Sequence, residues 1–121
     1  MFKEALEAII ENTDGAVGAL IMGTDGIAVE KVMRPEANDT NLDVAATEFT
    51  SLVRNAQRTG NDTGLGSLRE LTVTLDSAVV IMRLFSREYF VVLALKTEGN
   101  FGRARYELRK AELQLAREFS L

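Results

Sequence analysis

The sequence predicts an α+β fold in which a five-stranded antiparallel sheet carries helices on both faces, in the order α-β-β-α-β-β-β-α. Three strand patterns fill residues 68–96 and are separated by short turns, and strands joined so tightly pair antiparallel. Three amphipathic helical patterns accompany the strand patterns. Helices on both faces of one sheet would bury all three apolar stripes.

The three consecutive strands have different patterns. Residues 68–75 alternate, with Leu71, Val73 and Leu75 on one face, which predicts a strand that is covered on one side. Residues 77–85 and 88–96 are nearly continuous apolar runs, which are typical of strands buried on both faces. The alternating strand is therefore expected at an edge of the sheet, where it has no proline to prevent pairing with another strand.

A helix is predicted after the last strand. The strand pattern stops at Gly99, and Asn100 is a suitable N-cap for a helix over 101–119. We expect Tyr106 and Leu113, which are offset from its main apolar stripe, to pack against the first helix. The arginines of this helix alternate with glutamates, so we interpret its charged side as a self-paired, solvated face rather than a basic binding patch.

The beginning of the chain predicts a helix followed by a β-hairpin. The helix ends at Asp14-Gly15, where glycine can adopt the positive φ of a helix C-terminus. Strands over 16–22 and 27–33 flank the segment 23–26, whose glycines and aspartate suit a hairpin turn. The apolar residues of the helix recur at helical spacing, at Phe2, Ala5, Leu6, Ile9 and Ile10.

The second helix is expected to begin near Thr40 or Asn41 and to lie on the sheet. Its apolar residues form a band about 120° wide, enough to cover one face of a sheet. The band consists of Leu42, Ala45, Ala46, Phe49, Leu52, Val53 and Ala56. The opposite side carries small or long, flexible side chains, namely Val44, Thr47, Ser51, Arg54, Asn55 and Arg58.

Composition excludes several classes of function. The 121 residues suffice for a single domain, 1–121, and include neither Cys nor His, which excludes thiol and imidazole catalysis and most zinc, copper or haem sites. A net charge of −4 argues against a nucleic-acid partner, and the apolar runs are too short to insert across a membrane. The first residues lack a signal-peptide pattern, so we expect a cytoplasmic protein whose partner is another protein.

No residues group into a recognisable site for chemistry. The glycine-rich segment 60–67 lacks the Gly-Lys-Ser/Thr ending of a P-loop, and Arg69 stands where dinucleotide-binding spacing requires a third glycine. We interpret this segment as a flexible connection. The isolated aspartates fall in predicted turns, not in pairs on rigid elements. The sequence therefore predicts no catalytic, cofactor-binding or metal-binding residues.

Four short motifs occur in order along the chain, namely Gly15-Ala-Val-Gly-Ala-Leu, Asp25-Gly26-Ile-Ala, Ala45-Ala46 with Leu52-Val53-x-x-Ala56, and Gly99-Asn-Phe-Gly-Arg103. Together these motifs resemble the roadblock / dynein light chain family, which has a longin-like or profilin-like layout. The resemblance covers nearly the whole chain and is closest in style to the bacterial gliding-motility GTPase regulators (MglB-like).

The resemblance implies a non-enzymatic homodimer that binds a Ras-like small GTPase and needs no cofactor. It implies that two copies pair through the second helix and the third strand, and that the GTPase docks on the face bearing the two central helices. The implied dimer interface consists of Val44, Thr47, Glu48, Ser51, Asn55, Leu68, Leu71 and Val73. The implied GTPase-binding residues are Thr47, Ser51, Arg54 and Arg58.

Two other functions stay open at this point. The first is a purely structural dimeric adaptor in a motor, polarity or signalling complex, without a GTPase partner. The second is a profilin-like sensor of a small ligand, which would need a polar-lined pocket that the apolar strands do not indicate.

Overall fold

The structure, a computed structural model, describes residues 2–37 and 41–119. The helices are α1 (Phe2–Asn12), α2 (Leu42–Asp62) and α3 (Phe101–Phe119), with one 3-10 turn at Pro35–Ala37. The strands are β1 (Ala16–Gly23), β2 (Ala28–Met33), β3 (Glu70–Thr74), β4 (Val79–Leu84) and β5 (Tyr89–Leu95). This order of elements confirms the predicted one.

The strands form one antiparallel sheet in the order β2-β1-β5-β4-β3. The last strand along the chain, β5, is central and places Leu93 opposite both Ala19 of β1 and Ile81 of β4. Helices α1 and α3 cover one face of the sheet, and α2 covers the other. The predicted cover of both faces is therefore confirmed, and β2 and β3 form the two edges.

A separate hydrophobic core lies on each side of the sheet. On one side Leu6 of α1 and Leu108 of α3 pack with Ile81 of β4, and all three are fully buried. On the other side Val53 of α2 packs with Met82 of the same strand. Successive residues of β4 thus enter opposite cores, which explains the nearly continuous apolar runs in the sequence.

Helices α1 and α3 lie side by side and antiparallel. At one end the ring of Phe2 lies 4.5 Å, centroid to centroid, from the ring of Phe119. At the other end Nδ2 of Asn12 donates a hydrogen bond of 3.5 Å to Oε1 of Glu107. The start of α1 therefore lies level with the end of α3.

The expected packing of Tyr106 and Leu113 against α1 is wrong. Tyr106 is 49% exposed and Leu113 is 70% exposed, so both side chains point away from the protein. The face of α3 that is buried consists instead of the main stripe, which includes Ala104, Leu108 and Leu115. The offset pair lies outside this stripe because α1 occupies only one flank of α3.

The glycine-rich segment after α2, predicted as a flexible connection, joins α2 to β3 and is closed by a backbone hydrogen bond. Gly60 belongs to the last turn of α2, and the N–H of Gly66 donates a 3.1 Å hydrogen bond to its carbonyl oxygen. A Cβ atom at Gly60 would overlap the carbonyl oxygen of Gly66. Glycine is therefore required here by the close approach of two backbone segments.

Backbone atoms also join the α1–β1 turn to the β5–α3 turn. The N–H of Lys96 donates a 2.8 Å hydrogen bond to the carbonyl of Gly15, and the N–H of Asn100 donates a 3.0 Å bond to that of Asp14. Gly15 has a φ of 85°, and a Cβ atom there would lie 2.5 Å from Cα of Gly99. Position 15 therefore needs glycine both for its φ and for space.

We expect Gly15→Ala to destabilise the protein by about 3 kcal/mol, because backbone strain and the clash with Gly99 add. Gly26 is the matched control, since its φ is 89° but no atom would lie within 4 Å of an added Cβ. Gly26→Ala should therefore cost about 1 kcal/mol, from φ strain alone. Urea unfolding of both variants measures the difference, and equal losses would show that the Gly15–Gly99 contact relaxes freely.

Candidate interaction surface on the second helix and third strand

The start of α2 is fixed by a cap and an ion pair. Oδ1 of Asn41 accepts a 3.3 Å hydrogen bond from the N–H of Val44, as a capping residue does. Nζ of Lys31 lies 2.8 Å from Oδ2 of Asp43, which ties the helix to β2. Of the two predicted starting residues, Asn41 is the N-cap, and Thr40 lies outside the described residues.

The inner face of α2 is rotated slightly from the predicted band. Its buried residues are Leu42, Ala46, Thr50 and Val53. Thr50 was missing from the predicted band, and its hydroxyl donates a 2.8 Å bond to the carbonyl of Ala46, so a polar residue fits there. Leu52 was placed in the band wrongly, because it is 45% exposed and lies about 120° around the helix from Ala46.

The predicted interaction residues of α2 share one exposed surface. Near its start Val44 is 55% exposed, and towards its end the guanidinium of Arg58 donates a 2.7 Å hydrogen bond to Oδ1 of Asn55. Arg54 forms no ion pair with any residue that the structure describes. The exposed residues are Val44, Thr47, Glu48, Ser51, Arg54, Asn55 and Arg58. The surface is thus partly apolar at one end and cationic at the other.

Strand β3 borders this surface at the edge of the sheet. In the described part of the chain β3 pairs with β4 alone. Leu71 and Val73 are half-buried on the α2 side, together with Leu68, while Thr72 is exposed on the opposite side. The alternation predicted for Leu71 and Val73 agrees with this placement, but Leu75, predicted on the same face, follows the end of β3 and is 49% exposed. The two sets of predicted dimer residues, on α2 and on β3, therefore lie on the same side of the sheet.

A charge network that the sequence analysis missed holds β3 in place from the other side. Oε2 of Glu70 lies 2.8 Å from Nε of Arg105, and Oε1 lies 3.4 Å from Nη1 of Arg83. Arg83 also contacts Glu112 at 2.8 Å. The alternation of β3 could have indicated that Glu70 lies on the face opposite Leu71. In the sheet, Glu70 is paired with Arg83 of β4. This network fixes the edge strand and leaves its outer side uncovered within the chain.

A polar groove of about 380 Å³ lies where α2 ends and β3 begins. Nε2 of Gln57 donates a 3.2 Å hydrogen bond to the carbonyl of Arg87, which joins α2 to the β4–β5 turn beside the groove. Over the described residues, no group of acidic side chains is arranged to hold a metal ion. Among the described residues, no helix is both long enough and apolar enough to cross a membrane.

The fold is that of a roadblock domain, with a five-stranded antiparallel sheet between one helix and a pair of helices. Residues 2–94 match the family model described as Roadblock/LC7 domain. The chain belongs to the Roadblock/LC7 family, which confirms the resemblance seen in the motifs.

Solved structures place the chain near gliding-motility members of this family. MglC from Myxococcus xanthus is 33% identical, with 98% of each chain covered and a TM-score of 0.73. The gliding protein MglB from Thermus thermophilus is 20% identical, covering 96% of this chain and 86% of that chain, with a TM-score of 0.85. A Roadblock/LC7 domain from Streptomyces avermitilis is 15% identical, with 98% and 97% covered and a TM-score of 0.83. The last two show the shared fold. No curated protein matches the chain.

Substitutions on the two faces of α2 should differ in their effect on stability. Phe49 packs against the core on the α2 side of the sheet, so Phe49→Ala should destabilise the protein by about 3 kcal/mol. Arg54 is exposed, and Arg54→Ala should change stability by less than about 0.5 kcal/mol. Thermal unfolding followed by circular dichroism compares them. Equal melting temperatures would mean that the helix face is assigned wrongly.

Proposed function

We propose that the protein is a non-enzymatic, cytoplasmic homodimer that binds and regulates a Ras-like small GTPase. The observation that supports this most directly is the exposed surface of α2 beside the free edge of β3. Membership of the Roadblock/LC7 family, and the similarity to MglC and MglB, support the same assignment.

The proposed dimer joins the two copies through β3 and α2. An edge strand presents unpaired N–H and C=O groups, and pairing with its symmetric copy satisfies them. Small side chains such as Thr47 and Ser51 let a second α2 approach closely, and Val44 would lose its exposed apolar area. The proposed interface residues are Val44, Thr47, Glu48, Ser51, Asn55, Leu68, Leu71 and Val73.

The GTPase is proposed to dock on the outer surface of the paired α2 helices. Thr47 and Ser51 provide hydroxyl groups, and Arg54 and Arg58 provide the positive charge of this face. The guanidinium of Arg58 is held by Asn55 of its own helix, which suits a fixed docking contact better than a side chain that reaches into an active site. The platform would therefore bind and orient the GTPase, which aligns its own catalytic residues.

The dimer has a direct test in solution. Light scattering at about micromolar concentration, where specific complexes of this type assemble, should give twice the chain mass. Val44→Asp should reduce this to the monomer mass, because it places an unpaired charge in the interface. An aspartate in the first turn is favourable for α2 itself, so the fold should persist.

Leu65→Asp is the matched control for Val44→Asp, since Leu65 is 86% exposed and lies outside the proposed interface. It should leave the dimer unchanged. A monomeric wild type would overturn both the dimer and the GTPase platform. If Leu65→Asp dissociated the dimer as strongly as Val44→Asp, the interface would lie elsewhere.

GTPase binding is tested by pull-down with the Ras-like GTPases of the same cell, each loaded with a GTP analogue and then with GDP. The double variant Arg54→Ala/Arg58→Ala should lower the affinity for the GTPase and make that affinity less dependent on salt. Any stimulated rate of GTP hydrolysis, measured with saturating variant, should stay nearly unchanged. Arg69→Ala/Arg87→Ala removes two exposed arginines elsewhere and should bind normally.

Two outcomes would change this assignment. Loss of essentially all stimulation at saturation, a factor of roughly 10³–10⁵, would mean that an arginine acts as a finger in the GTPase active site. If no GTPase binds the wild-type dimer, the protein acts instead as the structural adaptor that the sequence left open.

A further inference from the structure

The outer face of α3 is basic, because its five cations exceed its three glutamates and one of those glutamates is buried. Arg103 and Lys110 lie 2.9 Å and 3.3 Å from the carboxylate of Glu107, and that carboxylate is only 1% exposed. Arg109 and Arg117 are exposed and form no ion pair within the described chain. The self-paired face predicted from the sequence is therefore correct for Arg103 and Lys110 but leaves a surplus of positive charge outside.

Two exposed apolar side chains lie in the middle of this basic face. Tyr106 and Leu113 are seven residues apart, so they lie on the same side of the helix. The guanidinium of Arg103 and the ammonium of Lys110 lie 5.3 Å and 5.6 Å from the centroid of the Tyr106 ring. An apolar centre with a charged rim is the composition of a protein interaction surface.

The neighbouring helix α1 presents the opposite charge. Its exposed side carries Glu7 and Glu11, one turn apart, and neither carboxylate forms an ion pair within residues 2–37 and 41–119. Asn12 contacts Glu107 at one end of the helix pair, and the two helices run antiparallel. Glu11 therefore lies level with Arg109 along the shared direction of the helices.

We infer that a second copy of the chain docks on this face, with α1 of one copy over α3 of the other and the reverse. A two-fold axis lying in the interface can run parallel or perpendicular to the helices. A perpendicular axis would place basic α3 on basic α3, whereas a parallel axis places each acidic helix on a basic one. Rotation about the parallel axis does not change the position of a residue along the helix direction. Glu11 of one copy therefore faces Arg109 of the other.

The charge pattern favours a second copy over an anionic membrane as the occupant. A membrane surface would attract α3 but would repel the glutamates of α1, which lie beside it in the same layer. In a two-fold interface every complementary contact occurs twice. The same chain therefore supplies both the basic surface and the acidic surface that matches it.

This contact is small, so it should be weak and sensitive to salt. Two helices about 10 Å apart and at most about 28 Å long cover less than the roughly 800 Å² per partner of a typical stable complex. The charges that drive it are exposed and are screened by salt. It lies on the side of the sheet opposite α2, so it does not depend on the proposed α2–β3 dimer, and each such dimer would present two of these faces to further dimers.

The test is sedimentation of the full chain over about 10 µM to 0.5 mM, at low and at high salt. The mass at high salt gives the salt-resistant species, and any increase in mass at low salt measures the proposed contact. Arg109→Glu and Glu11→Arg should each weaken this association roughly tenfold, because each change acts twice in a two-fold interface. The double variant carries both changes, restores opposite charges and keeps the net charge, and should associate nearly as well as the wild type.

Arg87→Glu and Glu88→Arg make the same changes of net charge on the exposed β4–β5 turn and should leave the association intact. Thermal unfolding confirms that all variants are folded. The proposal is overturned if the wild type shows no salt-sensitive association, if Arg109→Glu strengthens it, or if the double variant remains as weak as the single ones. None of these results bears on the α2–β3 dimer, which Val44→Asp tests.

Discussion

Strand β5 is buried on both faces, and the arrangement of the rest of the protein follows from covering it. Phe90 and Val92 enter the core beneath α2, while Val91 and Leu93 enter the core beneath α1 and α3. A strand of this kind needs a helical layer on each side of the sheet. The apolar stripes of the three helices are used for that cover, which leaves the outer helix faces and the sheet edges for contact with other molecules.

The two helical layers present different outer chemistry. On α2 the exposed residues are mostly small and polar, with two arginines near the end, which suits close approach of another helix and docking of a partner. On the opposite side, acidic α1 and basic α3 lie next to each other. The small polar residues of α2 and the paired charges of α1 and α3 therefore suit different kinds of contact on the two sides of the sheet.

The positions of strands and helices could be predicted from the sequence, because the spacing of apolar residues and the capping residues depend only on neighbouring positions in the chain. Asn100 was expected to cap α3, and its Oδ1 accepts a 3.0 Å bond from the N–H of Arg103. Contacts between distant segments were not predictable. Arg34, at the end of β2, donates hydrogen bonds to the carbonyls of Ile10 and Thr13 at the end of α1, and no local pattern indicates this.

The surface of α3 is more basic than the excess of cations in its sequence, because carboxylates that pair with these cations are buried. Glu107 is buried against Asn12, and Glu70 of β3 lies beneath Arg105, so both carboxylates neutralise cations from inside the protein. Burial of the acidic partners removes negative charge from the exterior while the cations stay partly exposed. A protein with a net charge of −4 therefore has a basic surface on one helix, and the balancing glutamates remain exposed on the neighbouring α1. The separation of charge between adjacent helices selects the relative orientation of two copies, because only one of the two possible two-fold arrangements brings opposite charges together.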